Sequence, residues 1–401
     1  MSEVESVVPE GRRGLLGPGV VVAAGLAVGQ VLAYALAVLG ARVLGPARFG
    51  ELSTLNNLLV IGAVVALAVQ TVAARRVAAG EPGSDPQALA RLGSRASTAV
   101  TVVGLVVVPI ALVALRLPVV ATFAVALTLW PLTAIGVGLG RAQGDQHFVR
   151  LGALYTVLGI LRVGSSIAVL VATRSVTATV IAALVGTAVA WVLVRAIEGL
   201  PLGAGGRLHA DVRSETLHTT HALLAMFVFT SCDLLLARLV LPATQVGEYA
   251  AGSVVLKIAF WLPQVVAVVL FPRLARGDRR SLLVGTVAVV ALGLVVTLGF
   301  ALVGPTLLPR LMGAAYADIA TQSWIFGLAG TAEAAAYLLL FSRLAARDRL
   351  AAVAVWGAVV VLGLVVLTVA HHSPTQIAVA VAVVATALCG VGVWANLRSS
   401  S

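Results

Sequence analysis

Residues 18–40 read PGVVVAAGLAVGQVLAYALAVLG, twenty-three positions without a charge. A helix needs about 20 consecutive apolar residues to cross the hydrocarbon core of a bilayer. Ahead of this run stand Glu3, Glu5, Glu10, Arg12 and Arg13. The run exceeds the apolar stretch of a cleaved signal peptide, so it predicts an uncleaved first span. Similar runs recur along the chain, near 52–72, 93–115, 118–140, 151–172 and 176–197, then near 219–241, 247–271, 281–303, 320–342, 351–370 and 375–396. The expected fold is therefore an all-α integral membrane protein of about twelve transmembrane helices.

Composition agrees with that reading. Hydrophobic residues fill 60% of 401 positions, charged residues only 11%, and mean hydropathy is +1.06. A soluble domain carries about a quarter charged residues, so most of this surface must face something other than water. The net charge of +11 does not point to nucleic acid, because the arginines stand singly or in pairs between apolar runs, with no basic stretch interleaved with aromatics. Cys232 and Cys389 fall inside apolar runs, which suits small core residues and neither a disulfide nor a zinc site.

The cations also orient the chain. With the N-terminus in the cytoplasm, nineteen of the 27 Lys and Arg residues fall in inner segments and six in outer loops, leaving Arg162 and Lys257 inside spans. Such positive-inside bias predicts that both termini are cytoplasmic. Two stretches repeat: ARVLGPARFGELSTLNN from Ala41 and ARLVLPATQVGEYAAGS from Ala237. Each runs from an Ala-Arg at the outer end of an odd span, through proline, to a Gly-Glu that opens the next span. Six spans per half is an even number, so both copies enter from one side and are related by an axis along the membrane normal. The expected units are a six-helix bundle over 1–197, a cytoplasmic linker over 198–218 and a second six-helix bundle over 219–401.

The turn LGPARFGE, the inner RRVA and LFPRLARGDRR, and SCDLLLARLVLPATQVGEYAAGS together resemble the polysaccharide-exporter branch of the multidrug/oligosaccharidyl-lipid/polysaccharide flippases. The resemblance implies two pseudo-symmetric bundles, a cavity lined largely by spans 1, 2, 7 and 8, alternating access, and a polyprenyl-diphosphate-linked oligosaccharide as cargo. A flippase for cell-surface polysaccharide biosynthesis in the cytoplasmic membrane is the functional expectation. A cation-coupled multidrug exporter of the same superfamily is the alternative within that class.

Four ionisable residues lie well inside spans: Arg162, Asp233, Lys257 and Glu333. Each costs roughly 2.5–3.5 kcal/mol at a helix centre, so each should face a partner, a bundle interior or water. At 1.5 Å per residue, Asp233 and Lys257 lie about 12 and 13 Å from the outer surface on consecutive antiparallel spans. That depth suits an exchangeable functional pair or a static salt bridge. Arg162 and Glu333 lie at comparable depth, the arginine as a cargo contact or a partner of Glu333. Lys257 is read as a second phosphate contact, with Asp233 and Glu333 as sites for a coupling cation, proton or sodium. Gln30, Tyr34, Asn56, Asn57 and Gln264 are candidate sugar contacts, although helix–helix hydrogen bonds use the same residue types. Pro263 is placed to kink span 8.

A membrane-embedded glycosyl- or acyl-transferase is the reading from a different class. The outer loops carry only Glu51, Glu248 and Asp318 as acids, and the six histidines form no cluster, His371 and His372 sitting in an outer loop. No H-E-x-x-H, D-x-D, P-loop or dinucleotide fingerprint occurs. The expectation is a transporter without cofactor, metal or nucleic-acid partner, working among membrane lipids.

Overall fold

The computed structural model describes residues 16–202, 210–274, 279–345 and 348–398, which are helical with no strand among them. Fifteen α-helices follow in order: α1 Leu16–Gly62, α2 Val64–Ala79, α3 Pro86–Leu115, α4 Val119–Gly144, α5 Phe148–Gly159, α6 Ser165–Thr173, α7 Val176–Ile197, α8 Ala210–Phe229, α9 Cys232–Val240, α10 Ala243–Leu274, α11 Arg279–Met312, α12 Ala317–Thr321, α13 Ser323–Ala345, α14 Arg349–Thr368 and α15 Pro374–Arg398. A π-helical turn, Ile160–Gly164, joins α5 to α6.

The stretch Gly19–Ala79 runs 61 residues, which at 1.5 Å per residue is about three times the hydrocarbon thickness. It crosses twice because the helix breaks at Gly45, whose φ of 73° and ψ of 170° lie outside helical space. Pro46 then starts the next helix, where its missing N–H costs nothing. The connection expected over 41–51 is thus almost wholly helical and the turn is one residue wide. At the corresponding place in the second repeat, α9 ends at Val240 and α10 begins at Ala243, with the Pro242 carbonyl accepting from the Val246 amide at 3.0 Å.

Among the described residues nine helices are long and apolar enough to span, or ten with the bent pair α8–α9. Dividing the first at Gly45 and adding the 32-residue α10 brings the crossings to twelve. Span 7, expected as one helix, instead bends by 48° between α8 and α9. Apolar side chains stand outward where lipid would lie, Val113 and Leu302 being 82% and 81% exposed.

Packing separates two lobes. One large core cluster belongs to residues 222–388 and takes in Ala41 and Phe49 from the first half, with Ala37 and Val38 packed against it. The first half holds clusters of its own, built mainly from α1 to α7, with Val212 of α8 joining one of them. The lobes touch at both ends. At the Gly45 end, α1 crosses α10 so closely that a Cβ on Gly247 would sit 2.0 Å from the Pro46 carbonyl oxygen, and one on Gly50 would sit 2.9 Å from the Gly247 nitrogen. These glycines are equivalent positions in the two repeats, so the repeat meets itself there. At the other end Val64 and Ala68 of α2 pack on Leu223 of α8.

Gly247→Ala should therefore force the crossing apart and cost about 1–3 kcal/mol, as overpacking does. Gly299→Ala, with open space around it, should be neutral. Unfolding of the two purified variants in one detergent checks the difference; equal stability would show that the crossing tolerates a methyl group.

Candidate central cavity

Three departures from regular helix shape the middle of the molecule, two stabilised by side chains and one by a close backbone crossing. In the π-turn, Ser165 Oγ donates to the carbonyls of Leu161 at 2.5 Å and of Ala182 in α7 at 3.1 Å. Ser166 Oγ donates to the Arg162 carbonyl at 2.8 Å. Opposite stands Gly186, where a Cβ would lie 1.8 Å from the Leu161 oxygen. This widened turn carries Arg162. At the α8–α9 bend two carbonyls leave the helical ladder, and both find donors: Lys257 Nζ on the Thr230 oxygen, Asn57 Nδ2 on the Ser231 oxygen. The break at Gly45 is the third departure, held by the Gly50–Gly247 crossing.

Between these elements lies a cavity of about 460 Å³. Gln30 and Tyr34 line it from the first part of α1, Asn56 and Asn57 from the second, Arg162 from the π-turn and Lys257 from α10. Ala183 of α7 and Thr230 and Ser231 of the bend complete it. The expected lining spans are all represented, with spans 5 and 6 added. Among the described residues, Arg162 and Lys257 are the charged side chains in the lining, and no carboxylate is among them. Arg162 makes no ion pair or side-chain hydrogen bond among the described residues, so its guanidinium donors remain available to the cavity.

The acids lie behind the wall. Asp233 is 1% exposed and accepts a hydrogen bond from Tyr249 Oη at 2.8 Å. Glu333 is wholly buried, and neither carboxyl oxygen receives a hydrogen bond among the described residues. The expected approach of Asp233 to Lys257 is not an ion pair in this conformation, since Tyr249 takes the acid and Thr230 the amine. Nor does Arg162 meet Glu333, because one faces the cavity from the first lobe and the other sits in the second lobe's core. The side chains of Pro263 and Gln264 lie outside the described residues. Asn57 and Lys257 have a structural partner each, which spacing within the sequence does not reveal; the polar pair Thr230-Ser231 inside an apolar run was the available signal for the bend.

Two further clusters join the lobes, and the sequence analysis missed both. At the Gly45 end, Arg238 donates from Nε to the Leu115 carbonyl at 2.8 Å and from Nη2 to the Arg116 carbonyl at 3.1 Å, with Glu51 3.9 Å away. Tyr316 Oη donates to the Ala41 carbonyl at 3.2 Å. At the opposite end Glu215, in α8, takes Arg75 Nε at 2.5 Å and Arg76 Nη2 at 2.9 Å, both from α2. Among the described residues no cluster of three or more His, Cys, Asp and Glu side chains could hold a metal ion.

No family model matches the sequence, and no curated protein matches it. Solved structures do. An inward-closed lipid II flippase MurJ superposes with a TM-score of 0.71 at 11% identity, over 94% of this chain and 87% of that one. An inward-facing multidrug-resistance MATE transporter of the MOP superfamily gives 0.67 at 12% identity, over 94% and 98%. The fold is that of the MOP-superfamily transporters. An outward-facing MATE transporter gives 0.64 at 12% identity, over 96% and 95%. The two pseudo-symmetric six-helix lobes of the MOP fold are the two bundles expected from the sequence repeat, and at these identities the likeness speaks to fold alone.

Burial pushes the Glu215 carboxyl upward, but its hydrogen bonds from Arg75 and Arg76 outweigh that and hold it below the ordinary carboxylate range. A lowered folded-state pKa means that the contact stabilises fully above the ordinary carboxylate pKa and fades as pH falls through the lowered value. A double-mutant cycle on Arg76→Ala and Glu215→Ala should give a coupling of about 0.5–3 kcal/mol at pH 7. The coupling should shrink below about pH 4. A coupling that persists unchanged into strong acid would exclude the ion pair as its source.

Proposed function

We propose that this protein is a flippase that moves a polyprenyl-diphosphate-linked oligosaccharide across the cytoplasmic membrane by alternating access, for cell-surface polysaccharide biosynthesis. The observation that carries the proposal is a cavity lined, among the described residues, by two cations and no carboxylate. A diphosphate entering hydrocarbon needs compensating positive charge, and charge-assisted bonds to phosphate are strong where bulk water is excluded. Arg162 offers a planar fork that suits two phosphate oxygens, and Lys257 offers a point charge. Gln30, Tyr34 and Asn56 supply the donors and acceptors that sugar hydroxyls require. A cationic drug would meet repulsion in the same cavity, which disfavours the multidrug alternative. A transferase would need a base or nucleophile in the lining, and among the described residues that lining holds no Asp, Glu, His or Cys.

The arginine distribution sets both termini in the cytoplasm and makes the Gly45 end the outer one. The tight α1–α10 crossing and the Arg238 contacts then close the outer side. In the proposed cycle the lobes, taken as 1–197 and 219–401 with the linker 198–218, rock about these end contacts. Asp233 and Glu333, buried behind Lys257, take the coupling cation, proton or sodium, and their occupancy alters the field at the lysine.

Reconstituted protein should flip a fluorescent polyprenyl-diphosphate sugar. Arg162→Ala should slow flipping by about tenfold or more, and Arg162→Lys should recover only part, since it keeps the charge and loses the fork. Lys257→Gln removes the charge and keeps a donor for the Thr230 carbonyl, so its loss of rate would report charge and not misfolding. Wild-type rates in both Arg162→Ala and Lys257→Gln would make these cations structural and end the proposal. Independently, a reporter fused after Ser401 should lie on the cytoplasmic side; an external signal would invert the orientation.

A further inference from the structure

A second pocket lies away from the central cavity, at the Arg75 end of the first lobe. It occupies about 360 Å³ between α3, α4 and α7, with Ser94, Trp130, Ala134, Trp191 and Arg195 in its lining. Leu200, beside this pocket, shares a core cluster with Val72 of α2 and Leu92 of α3, which fixes the end of the molecule concerned. Trp130 and Trp191 meet edge to face with centroids 4.9 Å apart. One turn further along α7, the Arg195 guanidinium carbon stands 6.0 Å from the Trp191 ring centroid.

We infer that this pocket holds one anionic phospholipid of the leaflet at the Arg75 end, its phosphate on Arg195 and an acyl chain against the tryptophan floor.

Charge, shape and surroundings support one occupant. Arg195 is the charged residue in the lining, and it has no ion pair and no side-chain hydrogen bond among the described residues. The acid nearest in sequence, Glu198, is directed elsewhere, with its carboxylate 3.7 Å from Arg150 and its backbone carbonyl taken by Arg141. A guanidinium resting on an indole face keeps its in-plane N–H groups free, the edge that matches a phosphate diester. The pocket floor is apolar, through Trp130, Ala134 and Val137, which a soluble anion would not use. The rim continues into lipid-facing surface, where Val192, Leu193 and Leu202 are exposed. Trp191 lies six residues before the end of α7, about 9 Å along the helix, the level of a headgroup boundary. Basic pockets between transmembrane helices on the cytoplasmic side are where anionic headgroups bind.

Native mass spectrometry of the full chain in neutral detergent provides the test, with phosphatidylglycerol, phosphatidylcholine and inorganic phosphate added in turn. The tightest-bound lipid should be phosphatidylglycerol, preferred over phosphatidylcholine by about tenfold, and inorganic phosphate should not compete for it. Arg195→Gln should remove most of that preference. Ala134→Leu should lower phosphatidylglycerol binding by filling the floor while the charge stays, and it carries the test if the arginine variant does not fold. Retained preference in the arginine variant, undiminished binding in Ala134→Leu, or competition by free phosphate would each overturn the assignment. None of these outcomes depends on what the central cavity transports.

Discussion

Inside hydrocarbon every backbone N–H and C=O must find its partner within the protein, and this requirement governs where the chain can depart from a helix. At the three departures that border the cavity, the protein supplies a donor or a close crossing. Ser165 and Ser166 serve the π-turn, while Lys257 and Asn57 serve the carbonyls released between α8 and α9. Because Asn57 comes from the first lobe and Thr230–Ser231 from the second, one of these repairs is also a contact between lobes. The irregular backbone gathers around the central cavity, the one region where freed polar groups and polar cargo groups can share partners.

Charge is sorted by the same rule. The half-buried cations line the cavity, and the buried acids lie in the second lobe's core, Asp233 against a tyrosine hydroxyl. Without an ion pair to an acid in the described lining, Arg162 keeps its charge toward the cavity, while Lys257 lies in the field of the acids behind the wall. Glu333 receives no hydrogen bond among the described residues, which is uncommon for a buried polar group. The lobes hold each other mainly at their two ends, through the glycine crossing and Arg238 at one and Glu215 with Arg75 and Arg76 at the other. Contacts concentrated at opposite ends of a central cavity, with Asn57 and Ser231 meeting beside it, are an arrangement in which one end can part while the other stays closed.

Much of the architecture was legible in residue order. Twenty-residue apolar runs can satisfy their backbones in lipid only as helices, so span number followed from length and hydropathy. The internal repeat followed from Ala-Arg, proline and Gly-Glu in register, and it predicted two lobes without any structural information. The cost of a charge in hydrocarbon singled out Arg162, Asp233, Lys257 and Glu333. What residue order left open was which charges pair. Equal depth on neighbouring spans placed Asp233 near Lys257, yet hydropathy carries no information on helix rotation, and Tyr249 and Thr230 captured the two charges instead.

The sequence by itself determined that this chain lives in a membrane, as two repeated sets of helices with a handful of costly interior charges, because burial energy per residue is local and additive along the chain. Only the tertiary structure decided which of those charges share a space, where span 7 bends, and that Gly50 and Gly247 meet. Each of these depends on the angle at which one helix presents its face to another, and that angle is set by packing among residues tens to hundreds of positions apart.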